Sequence, residues 1–387
     1  MPAKRYLMTP GPTPVPAPVR AAMSLPLVHH RTREFRTVLE RLLARLREVH
    51  RTANEVLLFT SSGTAAMESA VANLCSPGDR VLVVSAGNFG ERWLSLAEAY
   101  GLDVVPLRYE WGESPAPDDV AVALAEAGGA KAVYLTHCET STGVVTDVEG
   151  IAAACAPSGA LTVVDAISSL GAVPLETDAW GLDVVVAGSQ KALMTPPGLA
   201  TAAVSPRADE AAASATSPRF YLSWARARKA QAEDPPVTAF TPAISLVLGL
   251  DTALGLLLAE GLEATFDRHV RLGRACRAGV KAMGLELFSP DEDRSAVVTA
   301  IRMPEGVDGA EVIRDVSELH GITLEGGRGP LVGKIVRIGH IGYVDVFEVA
   351  AALTAVESIL AGLGVEVERG VAASAALEAY GGEAVRV

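Results

Sequence analysis

The sequence predicts an α/β fold: a mostly parallel, seven-stranded sheet flanked by helices, followed by a smaller α+β domain at the C-terminal end. Three observations carry this. Seven short β-rich runs alternate with helical stretches between residues 55 and 204. Those runs are continuous in Val and Leu without polar alternation, the pattern of strands buried on both faces beneath helices. Beyond residue 244 the texture changes to long helical stretches with a few shorter β-runs. The chain has 387 residues, which at about 150 residues per domain is enough for two to three domains.

The elements follow in order. Residues 9–18 (TPGPTPVPAP) carry too many prolines for a helix or a central strand and read as an extended arm over the surface, taken as residues 1–20. A basic amphipathic helix is expected over about Glu34–Arg51, with Phe35, Val38, Leu39, Leu42, Leu43 and Leu46 on one face. EVLLF (55–59) leads to a helix at 64–75 and RVLVV (80–84) to one at 90–100. DVVPL (103–107) precedes a helix at 117–127, and AVYLT (132–136) precedes one at 147–155. LTVVD (161–165), DVVVAGS (183–189) and LATAAV (199–204) complete a large domain assigned to residues 21–243. Residues 244–283 form one or two long helices broken near Gly261. AVVTAIRM (296–303), a helix at 308–320, ITLE (322–325), KIVRIG (334–339) and a helix at 344–362 make the small domain, 244–364. Residues 365–387 are Ala- and Gly-rich and read as a loosely attached helix or tail.

Composition narrows the function classes. Hydrophobic residues are 49% and charged residues 20%, a globular balance. The formal net charge of −13 argues against nucleic acid or an anionic membrane surface as partner, so any bound anion must be held by backbone dipoles and a few placed cations. The 4 cysteines (Cys75, Cys138, Cys155, Cys276) have no CxxC or Cys/His zinc spacing. They read as reduced, buried thiols, and no metal site is expected. No signal peptide or run of about 20 apolar residues is visible, so a cytoplasmic protein is expected.

In an open parallel sheet, ligands bind beyond the carboxyl ends of the strands. The residues there are small and polar: Ser62-Gly63-Thr64, Gly87-Asn88-Phe89, His137-Cys138-Glu139-Thr140-Ser141, Asp165 and Gln190-Lys191. Ser62-Gly63-Thr64 opens a helix straight after a strand and is either an ordinary cap or a phosphate cradle. Neither GxGxxG nor GxxxxGK[ST] is present. Asp165, at the end of an apolar strand, needs a partner; a cationic ring nitrogen or a loop cap to Ser168 or Ser169 would serve. Lys191, in GSQKALMTPPG, is a candidate Schiff-base amine because desolvation lowers its pKa; the plain alternative is a solvated surface lysine. Phe89 either stacks on a flat ring or packs in the core.

An Asp after one strand and a Lys after the next, behind a Ser-Gly-Thr turn and an aromatic, resembles the fold-type I pyridoxal-phosphate enzymes. TPGPT, SSGTAAMES, THCETSTG, VVDAISSLG, GSQKALMTPPG and KIVRIGHIG resemble more closely the class V aminotransferases, in the alanine/serine–glyoxylate branch, over about residues 6–362. The resemblance implies pyridoxal 5′-phosphate as cofactor, with Lys191 attached to it and carrying the proton between Cα and C4′. It implies Asp165 on the pyridinium nitrogen, Phe89 stacked on the ring where relatives often carry Trp, and Ser62, Gly63, Thr64 and Gln190 at the phosphate. Thr140 would lie near the phenolic oxygen, Arg337 would clamp the substrate α-carboxylate, and Gly11 would let backbone approach the substrate. Thr238 and Thr241, in TAFTPAIS, match a segment that reaches the cofactor phosphate of a neighbouring subunit, which implies a homodimer with composite sites. The helix at 34–51 and the N-terminal arm would then lie at the interface, and His29 and His30 are taken as structural.

The implied function is ping-pong transfer of an amino group from a small amino acid to glyoxylate or a similar 2-oxo acid. One evident cationic clamp, Arg337, favours alanine or serine as donor. Aspartate would need a second cation, for which Arg31, Arg328 and His340 are candidates; ureidoglycine is a further donor in the branch. Cysteine desulfuration is disfavoured, Cys138 reading as packing. A rival of another class is a non-catalytic accessory subunit that kept the fold.

Overall fold

The computed structural model describes residues 5–289 and 296–381. The chain opens with β1 (Tyr6–Leu7), α1 (Ala17–Met23) and α2 (Arg33–His50). The Pro-rich arm departs from expectation twice. It is not a surface ribbon, since Met8, Thr9 and Thr13 are buried. It also ends in a helix: α1 starts at Ala17 with a proline in its first turn, where a missing N–H costs nothing. In α2, Thr32 caps the first turn and the face from Phe35 to Val49 is buried.

The central region runs β2 (Val56–Phe59), α3 (Gly63–Leu74), β3 (Arg80–Ser85), α4 (Asn88–Ala99), β4 (Asp103–Arg108), α5 (Pro117–Glu126) and β5 (Ala132–Thr136). A small hairpin, β6 (Cys138–Glu139) and β7 (Val144–Val145), precedes α6 (Val148–Cys155), β8 (Leu161–Asp165), β9 (Val184–Gly188) and β10 (Ala200–Val204). Seven of these strands form one sheet in the order β2-β10-β9-β8-β5-β3-β4. From β4 to β9 every pairing is parallel, while β10 runs antiparallel to both its neighbours. Every residue of β5, β8, β9 and β10 is buried, which is why those runs show no polar alternation.

The chain continues through α7 (Pro206–Ser214), α8 (Trp224–Gln231), α9 (Ile244–Glu260) and α10 (Leu262–Ala282). The axis turns 86° between α9 and α10, at Gly261 with φ +91°. Val247, Leu250, Leu254 and Leu257 of α9 pack into the core beneath the large sheet. The change of packing therefore falls at Gly261 and not at residue 244, because α9 buries its apolar side against α1 and α2. No single helix among the described residues is long and apolar enough to cross a membrane.

The remaining elements are β11 (Val298–Arg302), α11 (Gly309–His320), β12 (Ile322–Thr323), β13 (Glu325–Gly326), β14 (Ile335–Gly339), α12 (Val346–Gly362) and α13 (Val371–Gly381). ITLE, expected as one strand, divides: β12 pairs with β1, and β13 pairs with β14 in the antiparallel sheet β11-β14-β13. The Ala-rich tail is docked where described. Ala372 and Ala376 are fully buried, and a Cβ at Gly279 would meet Leu353 and the Ala372 carbonyl, so small residues let α13 approach α10. Residues 382–387 of that segment, and 1–4 of the arm, lie outside the described residues.

Candidate active site

β5, β8 and β9 lie side by side with their carboxyl ends together, so the topology alone brings His137, Asp165 and Lys191 to one rim. Ser62, Gly63, Thr64, Phe89, Cys138, Asp165, Gln190 and Lys191 line one cavity there, with Arg92, Ile167 and Ser168. Asp165 is the last residue of β8 and 4% exposed; one of its oxygens accepts the Ile167 N–H at 2.8 Å, so the loop bond goes to Ile167 and not to Ser168 or Ser169. Burial raises its pKa to about 7, against the pull of that hydrogen bond and with the nearby Glu139 charge adding to it.

Lys191 is 8% exposed, not a surface lysine. Burial lowers its amine to about 8; Asp165 and Cys138 oppose that shift, while the charges of Arg337 and Arg328 assist it. Its Nζ donates to the Pro10 carbonyl at 2.6 Å, and its own carbonyl accepts from Thr13 Oγ1 at 2.9 Å. Gly11 has φ +138°, and a Cβ there would lie 2.3 Å from Lys191 Nζ. The close approach for which Gly11 is needed is thus to the lysine itself. The same arm accepts the Gly339 N–H at the Met8 carbonyl (2.7 Å), stitching the end of β14 to the lysine loop.

The helix end at Ser62-Gly63-Thr64 is not self-satisfied: Ser62 makes no side-chain cap bond to α3. Arg92 donates to Thr64 Oγ1 at 3.1 Å, and its guanidinium lies 4.8 Å from the centre of the half-buried Phe89 ring. Arg92 was not anticipated; its place one helical turn after Phe89 on the same helix was the available signal. Glu139, within THCETSTG, has a role that its sequence position does not reveal. It is 2% exposed, and its carboxylate accepts the N–H groups of Phe89 (2.9 Å) and Gly90 (3.1 Å) and the Ser141 hydroxyl (2.5 Å). It thereby caps α4 and fixes the backbone that carries Phe89.

Arg337, in β14 of the small antiparallel sheet, is 1% exposed. It donates through Nη1 to the Thr140 carbonyl (2.6 Å), through Nε to Gly326 (2.8 Å) and through Nη2 to Glu325 (3.4 Å). Glu325 and Arg337 are direct cross-strand partners. Burial lowers the guanidinium to about 10, which still leaves it a cation at neutral pH. Thr140 meets this group through its backbone.

The other candidates separate. His340 is fully buried between Thr299 and the Ala296 carbonyl, and burial holds its ring at about 3, so it cannot be the second cation. Arg31 lies in a different cleft with His30, Arg36, Thr238 and Thr241. Thr238 and Thr241 are therefore not brought to the Lys191 cavity of their own chain. Cys138 lines the cavity, but burial pushes its thiol well above the usual range, against a nucleophilic role. Among the described residues no group of three or more His, Cys, Asp or Glu is arranged to hold a metal ion.

The residues present fit pyridoxal phosphate. Gln190 Oε1 is buried without a hydrogen-bond partner, beside a helix N-terminus whose capping hydroxyl is uncommitted. A carboxyl held near neutrality by burial would be returned to its charged form by a protonated ring nitrogen. Residues 5–344 match the family described as aminotransferase class-V. The chain is 44% identical to the soluble hydrogenase small subunit of Synechococcus sp. over 93% of this chain and 94% of that one. It is 36% identical to the L-aspartate–glyoxylate aminotransferase of Paracoccus denitrificans over 98% and 97% of the two chains. The crystal structure of ureidoglycine–glyoxylate aminotransferase from Bacillus subtilis superposes with a TM-score of 0.94 at 32% identity, covering 98% of this chain and 99% of that one. A match over most of the length, together with a lysine and a carboxylate on adjacent strand ends, shows that the chain belongs to the class V aminotransferases, in the alanine/serine–glyoxylate branch, a family of pyridoxal-phosphate enzymes.

Proposed function

We propose that this enzyme moves an amino group from an amino acid to glyoxylate or a similar small 2-oxo acid in two half-reactions, with Lys191 Nζ as the proton carrier. The observation that carries the reading is the buried Lys191 amine, lowered to about 8 and lining the same cavity as the Asp165 carboxyl. An amine of that pKa is neutral often enough near pH 8 to take a proton from the substrate Cα and return it. When bound, the cofactor supplies an electron sink for the carbanion. Asp165 would keep the ring nitrogen charged, Phe89 would lie against the ring, and Ser62, Gly63, Thr64 and Gln190 would hold the phosphate, with Arg92 as an added cation. Arg337 would orient the substrate by its α-carboxylate, which sets the Cα–H bond relative to Lys191.

The working unit in this reading is a homodimer. Thr238 and Thr241 lie away from Lys191 in their own chain, and Thr238 Oγ1 is buried without a partner, as expected for a segment offered to a neighbouring subunit's phosphate. Equilibrium sedimentation at micromolar concentration should give twice the chain mass; an active monomer would overturn this part.

The hydrogenase name of one relative favours, as a second reading, an accessory subunit without turnover. Against it stands a desolvated lysine sharing a cavity with a buried carboxyl, which a scaffold has no physical need to maintain. The deciding experiment is the visible spectrum of the cofactor-loaded protein, titrated with L-alanine, L-serine and L-aspartate and then with glyoxylate. Loss of the band with a donor and its return with glyoxylate supports the transaminase. A coloured protein indifferent to every donor supports the accessory subunit. Alanine and serine need only Arg337, whereas an acidic donor needs a second cation.

A further inference from the structure

We infer that Arg328 is that second cation and that the enzyme selects a dicarboxylic amino donor of aspartate size. The inference rests on the transaminase reading and names the donor class for the same site. It moves the donor away from alanine and serine, which are favoured only while Arg337 is the sole clamp in view.

The observation is a three-residue cluster. One Glu325 carboxylate oxygen lies 3.4 Å from Arg337 Nη2 and 3.7 Å from Arg328 Nη2. Two guanidinium groups thus converge on a single carboxylate position, and Arg337 ties that cluster to the Cys138–Thr140 segment at the cavity rim by its bond to the Thr140 carbonyl. The participants differ in freedom. Arg337 is sealed at 1% exposure, while the side chains of Glu325 and Arg328 are 37% and 50% exposed. Glu325 can therefore swing to solvent and leave its place to another carboxylate.

The backbone carrying Arg328 is built to hold position. The Leu331 N–H donates to the Arg328 carbonyl at 3.0 Å, and the Gly327 N–H to Ile335 at 3.2 Å. A Cβ on Gly327 would strike the Leu331 carbonyl at 1.8 Å, and one on Gly329 would lie 3.1 Å from the Trp111 ring. The turn is packed on both sides, so Arg328 is presented from a fixed base.

Charge decides between donor classes. Every donor's α-carboxylate takes Arg337 Nη2 from Glu325, but with a neutral donor Glu325 keeps Arg328, which then contributes nothing to selection. With a dicarboxylate, the α-carboxylate goes to Arg337 and the side-chain carboxylate replaces Glu325 against Arg328, a charge-assisted contact a neutral side chain cannot make. Glu325 must then yield Arg337 to every donor but Arg328 only to an acidic one, so removing its charge should help an acidic donor more than a neutral one.

The test uses the cofactor-loaded enzyme and two readouts. In calorimetric titration, succinate should bind at least about 10-fold more tightly than propionate, and Arg328→Gln should abolish that preference. In steady-state kinetics with glyoxylate, Arg328→Gln should lower the L-aspartate to L-alanine ratio of kcat/KM by about 10- to 100-fold, Arg328→Lys should keep part of it, and Glu325→Gln should raise it. An unchanged band in the cofactor spectrum verifies that each variant is folded. Equal binding of succinate and propionate, or a ratio unmoved by Arg328→Gln, overturns the inference. Should no donor pass its amino group to glyoxylate, the transaminase reading fails instead, and the succinate comparison still reports on Arg328.

Discussion

The Asp165–Lys191 cavity and the Glu325–Arg328–Arg337 cluster are built on different principles. At the cofactor end, Asp165 and Lys191 sit at the carboxyl rims of adjacent strands whose every residue is buried, and are themselves only 4% and 8% exposed. At the proposed donor-selecting end, Glu325 and Arg328 sit on a two-residue strand and the turn after it, with side chains a third to a half exposed. Arg337 lies between, belonging to the second region by sequence and to the first by burial. The difference teaches where rigidity is spent. Proton transfer needs a nitrogen held within tenths of an ångström, which a parallel sheet core supplies. Selection needs a charge that can change partners, which a half-solvated ion pair permits because exposed pairs are worth only about 0–1 kcal/mol.

The sharpest way to break this contrast is at the lysine. Lys191→Ala should lose about 10⁴-fold or more in transamination and bind the cofactor without attachment, seen as a changed visible band after desalting. Retained turnover would mean that Lys191 does not carry the proton. Next in size, Asp165→Asn should cost on the order of 10²–10³-fold in kcat with a smaller change in KM, since it withdraws charge from the ring and not from the substrate carboxylate. An effect confined to KM would place Asp165 with the substrate end instead.

The junction between the ends gives the third case. Gly11→Ala puts a Cβ 2.3 Å from Lys191 Nζ on a backbone with φ +138°, so the arm or the lysine must move. It should destabilise the protein by about 1–3 kcal/mol, read by thermal denaturation, and slow cofactor attachment. Normal attachment with lowered Tm would show that the arm only seals the fold. The smallest effect expected is on pH. Attachment needs the neutral amine, so its rate in cofactor-free protein should rise with pH and level off above about 8, well below the range of an ordinary lysine. Because Arg328 helps to lower that value, Arg328→Gln should move the midpoint upward. A downward movement would mean that the two ends are not electrostatically coupled as described.

Much of the cofactor end is legible in the sequence alone, and for a local reason. In a parallel sheet the residue after each buried strand reaches the same rim, so Asp165, Lys191, Ser62-Gly63-Thr64 and Phe89 could be picked out by position alone. Glu139 stands in one of those segments and Arg92 three residues beyond another, and neither reveals its role there. A charged residue in a helix reads as a solvated face until its neighbours are known. Glu139 shows its role only through the α4 N–H groups, some 50 residues earlier in the chain, that it accepts.

The seven-stranded sheet, the break at Gly261 and the family were determined by the sequence itself, because periodicity, glycine and motif spacing are properties of neighbours along the chain. Register and threading were not. That ITLE splits so that Glu325 faces Arg337, that the arm runs buried beside Lys191, that His340 is neutral in a sealed pocket, and that α9 joins the large core were decided only in three dimensions. Each depends on which distant segment lies opposite, and a carboxylate or guanidinium takes its charge state and its partners from that neighbour, whatever precedes it in sequence.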